Sequence, residues 1–159
     1  MNGIDKFKLV TGCAPAALTS TAGDGDYISM KGFGHLTVMI NVLNGTTVTG
    51  GAVTFLQATD VAATGAKALS FDTMYANADC AASDALTETA VTAGTFTTST
   101  TNSKQLMYVV EFDAEDLDVD NGFDCLRVDV ASMANAVGAV TYILSDSRYS
   151  PAATSAITN

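Results

Sequence analysis

Apolar and polar residues alternate with period two along several short stretches of this chain. The clearest is 36–43, where Leu36, Val38, Ile40 and Val42 alternate with Thr37, Met39, Asn41 and Leu43. Period two sends the two sets to opposite sides of an extended strand, so one side is strongly apolar. Residues 105–112 repeat the pattern, with Leu106, Tyr108, Val110 and Phe112 opposite Met107, Val109 and Glu111. In 123–132, Leu126, Val128 and Val130 oppose Cys125, Arg127 and Asp129. Residues 139–145 are apolar on both sides through Val140, Tyr142, Ile143 and Leu144, which predicts a central strand. Further strands are predicted at 27–30, 52–59 and 68–74, the last with Leu69, Phe71 and Thr73 on one side and Ser70 and Asp72 on the other.

The segments between them carry turn chemistry. Asn44-Gly45 tolerates positive φ and predicts that 36–43 and 52–59 form a hairpin with a longer loop. Residues 60–65 form another turn, and 76–85 has neither period, so it reads as a loop or one helical turn. The Thr-rich stretch 86–99, broken at Ala93-Gly94, predicts a polar hairpin near a sheet edge. About eight short strands joined by turns predict an all-β domain, a jelly-roll-like β-sandwich or a related barrel. Composition agrees: 25 Ala and 22 Thr stand against 3 Glu and 2 Arg, so the long polar residues that coat amphipathic helices are scarce. The chain reads as one domain, a β core at 23–146 with an N-terminal arm at 1–22 and a C-terminal arm at 147–159. Pro15 and Pro151 lie in small-residue segments of the two arms. Arms of this kind are ordered by contact with neighbouring chains.

Seven Lys and Arg against 17 Asp and Glu give a formal charge of −10, which repels nucleic-acid phosphates. No window offers the ~20 consecutive apolar residues of a membrane span, and MNGIDKFKLVTG lacks a secretory stretch, so the expected product is soluble and unsecreted. Cys13, Cys80 and Cys125 form an odd set without CxxC spacing and read as thiols at buried or half-buried positions. The neighbouring Asp79 and Asp124 oppose thiolate formation at Cys80 and Cys125.

The segment 111–124 concentrates seven carboxylates in fourteen residues. Asp116, Asp118 and Asp120 have calcium-loop spacing, but Asn121 stands at the sixth position and Arg127 at the twelfth, where an EF-hand wants Gly and a bidentate Glu. The better reading is a helical turn capped by Asp113, followed by an Asn121-Gly122 turn into the next strand. His35, the single histidine, has no HxH or HxxxH partner and reads as a strand-end residue. The glycine pairs Gly23/Gly25 and Gly32/Gly34 continue into no phosphate-binding motif and read as turn glycines. No enzyme, cofactor or resident metal is expected.

Three segments carry a family resemblance: VTFLQATDVAATGAKALSFDTMY (53–75), VVEFDAEDLDVDNGFDCLRVDVA (109–131) and AVTYILSDSRYSPA (139–152). The turn residues Gln57, Ala58 and Asp60, the strand Lys67 to Phe71, the acidic 116–119 and the closing 142–149 make the chain resemble head decoration, or cement, proteins of tailed bacteriophages. The resemblance covers about half the chain. It implies an oligomer, trimer or dimer, made in the bacterial cytoplasm, that binds the phage major capsid protein on the outer surface of the head and stabilises the shell. Many modest contacts then add through multivalency, and a charge of −10 suits an outward-facing knob better than a lining against DNA.

Attachment is expected through apolar and small residues near the arms: Phe7, Leu9, Val10, Pro15 and Leu18 at one end, Arg148, Tyr149 and Pro151 at the other. The acidic turn is expected to face solvent. Rival readings are a tail, fibre or baseplate protein, and a glycan-binding β-sandwich with Tyr75 and Tyr149 as stacking candidates.

Overall fold

A computed structural model describes residues 6–19, 25–148, 156 and 157. Among them are eleven strands: β1 (Phe7–Ala17), β2 (Ile28–Ser29), β3 (Phe33–Asn44), β4 (Ala52–Ala58), β5 (Lys67–Leu69), β6 (Thr73–Asn77), β7 (Thr87–Ala90), β8 (Thr95–Thr97), β9 (Gln105–Asp113), β10 (Cys125–Val130) and β11 (Ala136–Ser147). One sheet has the order β1-β11-β3-β9-β6-β7 and the other β2-β10-β4-β5, with β8 beside β5 on the same edge of β4. All pairings are antiparallel.

The pairs β1/β11, β2/β10, β3/β9 and β4/β5 are nested, as if one long hairpin had been folded over on itself. Successive pairs fall in alternate sheets. The result is the double Greek key of a jelly roll, β1-β11-β3-β9 facing β2-β10-β4-β5, with β6 to β8 inserted before β9. The expected fold class holds as a two-sheet sandwich, not a closed barrel.

The core forms where the two sheets face each other. Leu36, Val38, Ile40 and Val42 of β3 and Leu106, Tyr108, Val110 and Phe112 of β9 are buried from one side. Val53 and Phe55 of β4 and Leu126, Val128 and Val130 of β10 are buried from the other. Phe55 sits edge-on to Phe71 and Phe112, at ring separations of 5.1 and 4.8 Å, a favoured aromatic arrangement. Tyr142 of β11 is fully buried, and its hydroxyl accepts a hydrogen bond from the Val128 N–H of β10 at 3.1 Å. A side chain at Gly12 or Gly25 would collide with its ring, so both positions need glycine for close approach.

Three local expectations change. The Asn44-Gly45 hairpin does not form: β3 and β4 belong to different sheets. The Asn44 amide donates to the Ser99 and Thr101 carbonyls, and the Gly45 N–H donates to the Asn135 carbonyl, so long-range partners carry the chain across the sandwich. The single strand at 68–74 is β5 and β6 separated by Ser70 to Asp72, where Phe71 plugs the crossing between sheets. The hairpin at 86–99 has its tight turn at Ala93-Gly94, with a bridge between Thr92 and Thr95, but β7 pairs with β6 and β8 with β4.

The N-terminal arm is, over residues 7–17, an edge strand paired with β11. Register shifts between Thr11 and Cys13 and between Cys13 and Ala16 bend it, the second around Pro15. Of the C-terminal arm, Ser147 belongs to β11, and Ala156 is buried, its carbonyl accepting the Ser29 N–H.

Tyr142→Phe keeps the ring but leaves the buried Val128 N–H without this acceptor. We expect a loss of about 1–2 kcal/mol, which lowers Tm by roughly 3–8 °C. Urea unfolding of the variant against wild type measures it.

Candidate functional site

The inner side of each long strand is committed to the core; among the described residues the other side of β1, β11, β3 and β9 is covered by no strand or helix, only at one corner by the loop after β6. Its residues line up in rows across the sheet. Leu43 lies between Val137 and Gln105, Asn41 between Ala139 and Met107, and Met39 between Thr141 and Val109. Thr37 lies between Ile143 and Glu111, with Leu9 and Thr11 of β1 extending the rows beside Ile143 and Thr141. Tyr75 of β6 extends the Val109 row. Leu9, Leu43 and Val137 are 52%, 50% and 43% exposed. Met39, Met107, Val109 and Ile143 are half-buried, as residues in the middle of an open sheet face are. At one end Pro15, Leu43, Met107, Val137, Ala139 and Cys80 surround a shallow, largely apolar hollow of about 400 Å³.

The central rows carry no charge. Charge begins at one end, where His35 Nδ1 lies 2.7 Å from Asp113 Oδ1 and Nε2 lies 3.8 Å from Glu111. His35 thus occupies the strand-start position expected of it and is tied to two carboxylates of the neighbouring strand.

The residues singled out from the sequence do not form one patch. Leu9 and Pro15 are exposed on β1, Phe7 is half-buried there, and Val10 is half-buried against the core. Leu18 is a core residue, 3% exposed, with its side chain against Gly138. Arg148 is exposed just beyond β11, and its N–H donates to the Gly32 carbonyl. Tyr149 and Pro151 lie outside the described residues. Sequence reading passed over Met39, Leu43, Met107, Val109, Val137 and Ile143. The signal is the second apolar side of these strands, which supplies either a buried layer or an open apolar surface, and the pattern alone does not distinguish the two.

A second concave region lies beside β6 and β7. Tyr75, Phe71, Glu88, Glu111, Phe112 and Asp116 are among the walls of a cleft of about 580 Å³. The Tyr75 phenol is pushed above its ordinary range, chiefly by the Glu88 carboxylate.

The acidic segment folds as a pair of 3-10 turns, Ala114–Asp116 and Val119–Asn121. Asp116 accepts the Asp113 N–H at 2.7 Å, which closes the first turn, and Gly122 ends the second with φ of 82°. Asp118 is tied to Lys67 and accepts from the Asn121 amide at 2.8 Å. Gln57, one of the residues behind the family resemblance, accepts the Asp118 N–H at 2.8 Å, so that turn is pinned to β4. Among the described residues no three His, Cys, Asp or Glu side chains converge as a metal site. Cys125 is buried, and its thiol is pushed up to about 12, first by burial and then by the adjacent Asp124. Cys13 and Cys80 are half-buried, and none of the three cysteines is in a disulfide.

The lysine contact holds Asp118 below the usual carboxylate range, with Asn121 contributing next. A folded-state pKa below the unfolded value means that the native state binds fewer protons. The stability this contributes is complete above the ordinary carboxylate pKa of about 3.9 and is lost as pH falls through the lowered value. We therefore expect Lys67→Met to lower Tm at pH 7 and to flatten its decline below about pH 4. A series of melting curves at different pH values checks this.

No protein-family model matches the sequence, and no curated protein matches it. Among solved structures the chain is similar to the SPBc2 prophage-derived protein YomS, at 17% identity and a TM-score of 0.45, over 87% of this chain and 91% of that one.

Proposed function

We propose that this chain is a structural virion protein that decorates the outer surface of a tailed-phage head in many copies and stabilises the shell. The observation that carries the reading is the segregation of charge on a jelly-roll frame. A chain of −10 leaves the central rows of its widest open sheet face uncharged and gathers acids at one end of that face and in the turns after β9. Such a surface suits adhesion between proteins at one place and mutual repulsion, hence solubility, elsewhere. The family resemblance of residues 53–75, 109–131 and 139–152 supports the same reading.

Shell contact falls to the free edge of β1, where Pro15 is exposed, and to Arg148 beyond β11. The acidic turn at Asp120 faces solvent. No chemical step is required: each junction buries modest area, and the sum over a shell resists internal pressure.

Mixing purified protein with undecorated heads and counting bound copies tests the reading. Wild type is expected to saturate a fixed number of sites and to raise the temperature at which heads rupture. Pro15→Asp combined with Arg148→Glu is expected to weaken binding about tenfold, while Asp120→Lys leaves it unchanged. Binding to tails in place of heads would move the protein to the tail, fibre or baseplate class.

One feature favours a second reading. The cleft beside Tyr75 combines a half-buried aromatic ring with carboxylates that can accept hydrogen bonds from sugar hydroxyls. If the protein is a glycan-binding module, a glycan array returns hits that Tyr75→Ala abolishes, and heads bind no copies.

A further inference from the structure

We propose that the outer face of the six-stranded sheet is a two-fold interface, covered by the same face of a second copy of this chain. This deepens the reading of the protein as one that works in assemblies, and it names the surface that joins copies.

Size is the first argument. The five strands from β1 to β6, at ~4.8 Å spacing, and the seven residue rows from Thr37 to Leu43, at ~3.3 Å, span about 24 by 23 Å. That is on the order of 550 Å² in projection, before side-chain relief is counted, against the ~800 Å² of accessible surface that each partner of a standard stable complex buries. Counted on both partners the face gives about 1,100 Å², below the ~1,600 Å² of a standard complex but above the ~1,000 Å² that a specific interface needs.

Charge is the second. Two chains of −10 repel one another at most of their surface. On β11, β3 and β9 the rows from Met39 to Leu43, with Met107, Val109, Val137 and Thr141, contain no ionisable group to add to that repulsion, and the nearest carboxylate along them is Glu88, at the far edge beyond Tyr75. Nor do they offer a carboxylate to a basic partner. What this face complements is another uncharged apolar sheet, and a second copy presents one.

Geometry is the third. Two twisted sheets pack with their strands aligned to within about 30°, and a face that meets itself does so about a two-fold axis in the interface plane. An axis along the strands would set the His35, Glu111 and Asp113 end against its own copy. An axis across them sets that end over the uncharged Leu43, Gln105 and Val137 end of the second copy, and this arrangement is the one assigned. The unbranched Met39 and Met107 at the centre adapt to fill the seam.

The test uses the full chain without heads, so its outcome is separate from that of head binding. Sedimentation equilibrium is expected to show a species of twice the 16.3 kDa chain mass. Its association is expected to tighten from low to high salt, because the only long-range term is repulsion. Met39→Glu with Val109→Glu, both at half-buried outward positions, is expected to weaken association on the order of 100-fold with an unchanged circular dichroism spectrum, while Met39→Leu leaves it intact.

A readout independent of any variant is peroxide oxidation of wild type. Met39 and Met107 are expected to oxidise more slowly as protein concentration rises, while exposed Met sites in an added unfolded peptide keep a constant rate. A wild type that stays monomeric to about 100 µM overturns the proposal. So does an oligomer that survives Met39→Glu with Val109→Glu, a trimer in place of a dimer, or concentration-independent oxidation of both methionines.

Discussion

The hydroxyl of Tyr142 reaches from β11 in one sheet to the Val128 N–H of β10 in the other, through the apolar interior. Two sheets held only by interdigitated hydrocarbon can slide by a row at modest cost; a directional bond to a single backbone atom fixes which row faces which. The ring also needs two close approaches, at Gly12 in β1 and at Gly25 before β2, so the same side chain sets the path of the chain through the first pair of strands. Burial keeps this phenol protonated, with its pKa far above the ordinary range, and outweighs the opposing pull of the Arg127 charge.

With the inner faces locked in this way, the outer faces are free to differ. On the five-stranded sheet Tyr27, Ala58 and Cys125 form a small second cluster with Leu56 and Val61, and the Arg127 guanidinium lies 5.3 Å from the Tyr27 ring. That face is capped locally. The six-stranded face has only the loop after β6 over one corner, where the Asn77 amide donates to the Ser83 carbonyl at 2.8 Å. The contrast between a face closed by its own loops and a face left apolar is what gives the molecule a sidedness. The acidic turns after β9 and the uncharged rows of β3 and β11 thus keep charge and apolar surface apart on one molecule.

Much of the architecture was legible. The alternation in 36–43 and 105–112 gave β3 and β9 because each strand has one fully buried side, and the Asp113 and Gly122 turns followed from short-range chemistry alone. What failed was adjacency. Asn44-Gly45 has the local chemistry of a hairpin, yet Ser99, Thr101 and Asn135 bind it from far along the chain, and such partners leave no local trace. Likewise Leu69, Phe71 and Thr73 alternate as a strand would, although Phe71 leaves the strand to fill the gap between sheets. β1 was hidden by its own composition, since Cys13, Ala14, Pro15, Ala16 and Ala17 lack the bulk that marks a strand. The candidate surface was misread for a related reason: Ile143 beside Val140 and Leu144 implies a doubly covered strand only if something in the same chain does the covering.

The two register shifts in β1, with Pro15 beside the second, have a consequence for how such a protein is made. An eleven-residue outermost strand offers a row of open backbone groups on which further chains could stack without end. The kinks break that row into segments too short and too misaligned to template a regular ribbon, and the proline removes one donor from it. Copies of the chain can therefore reach high concentration without this edge seeding a fibril.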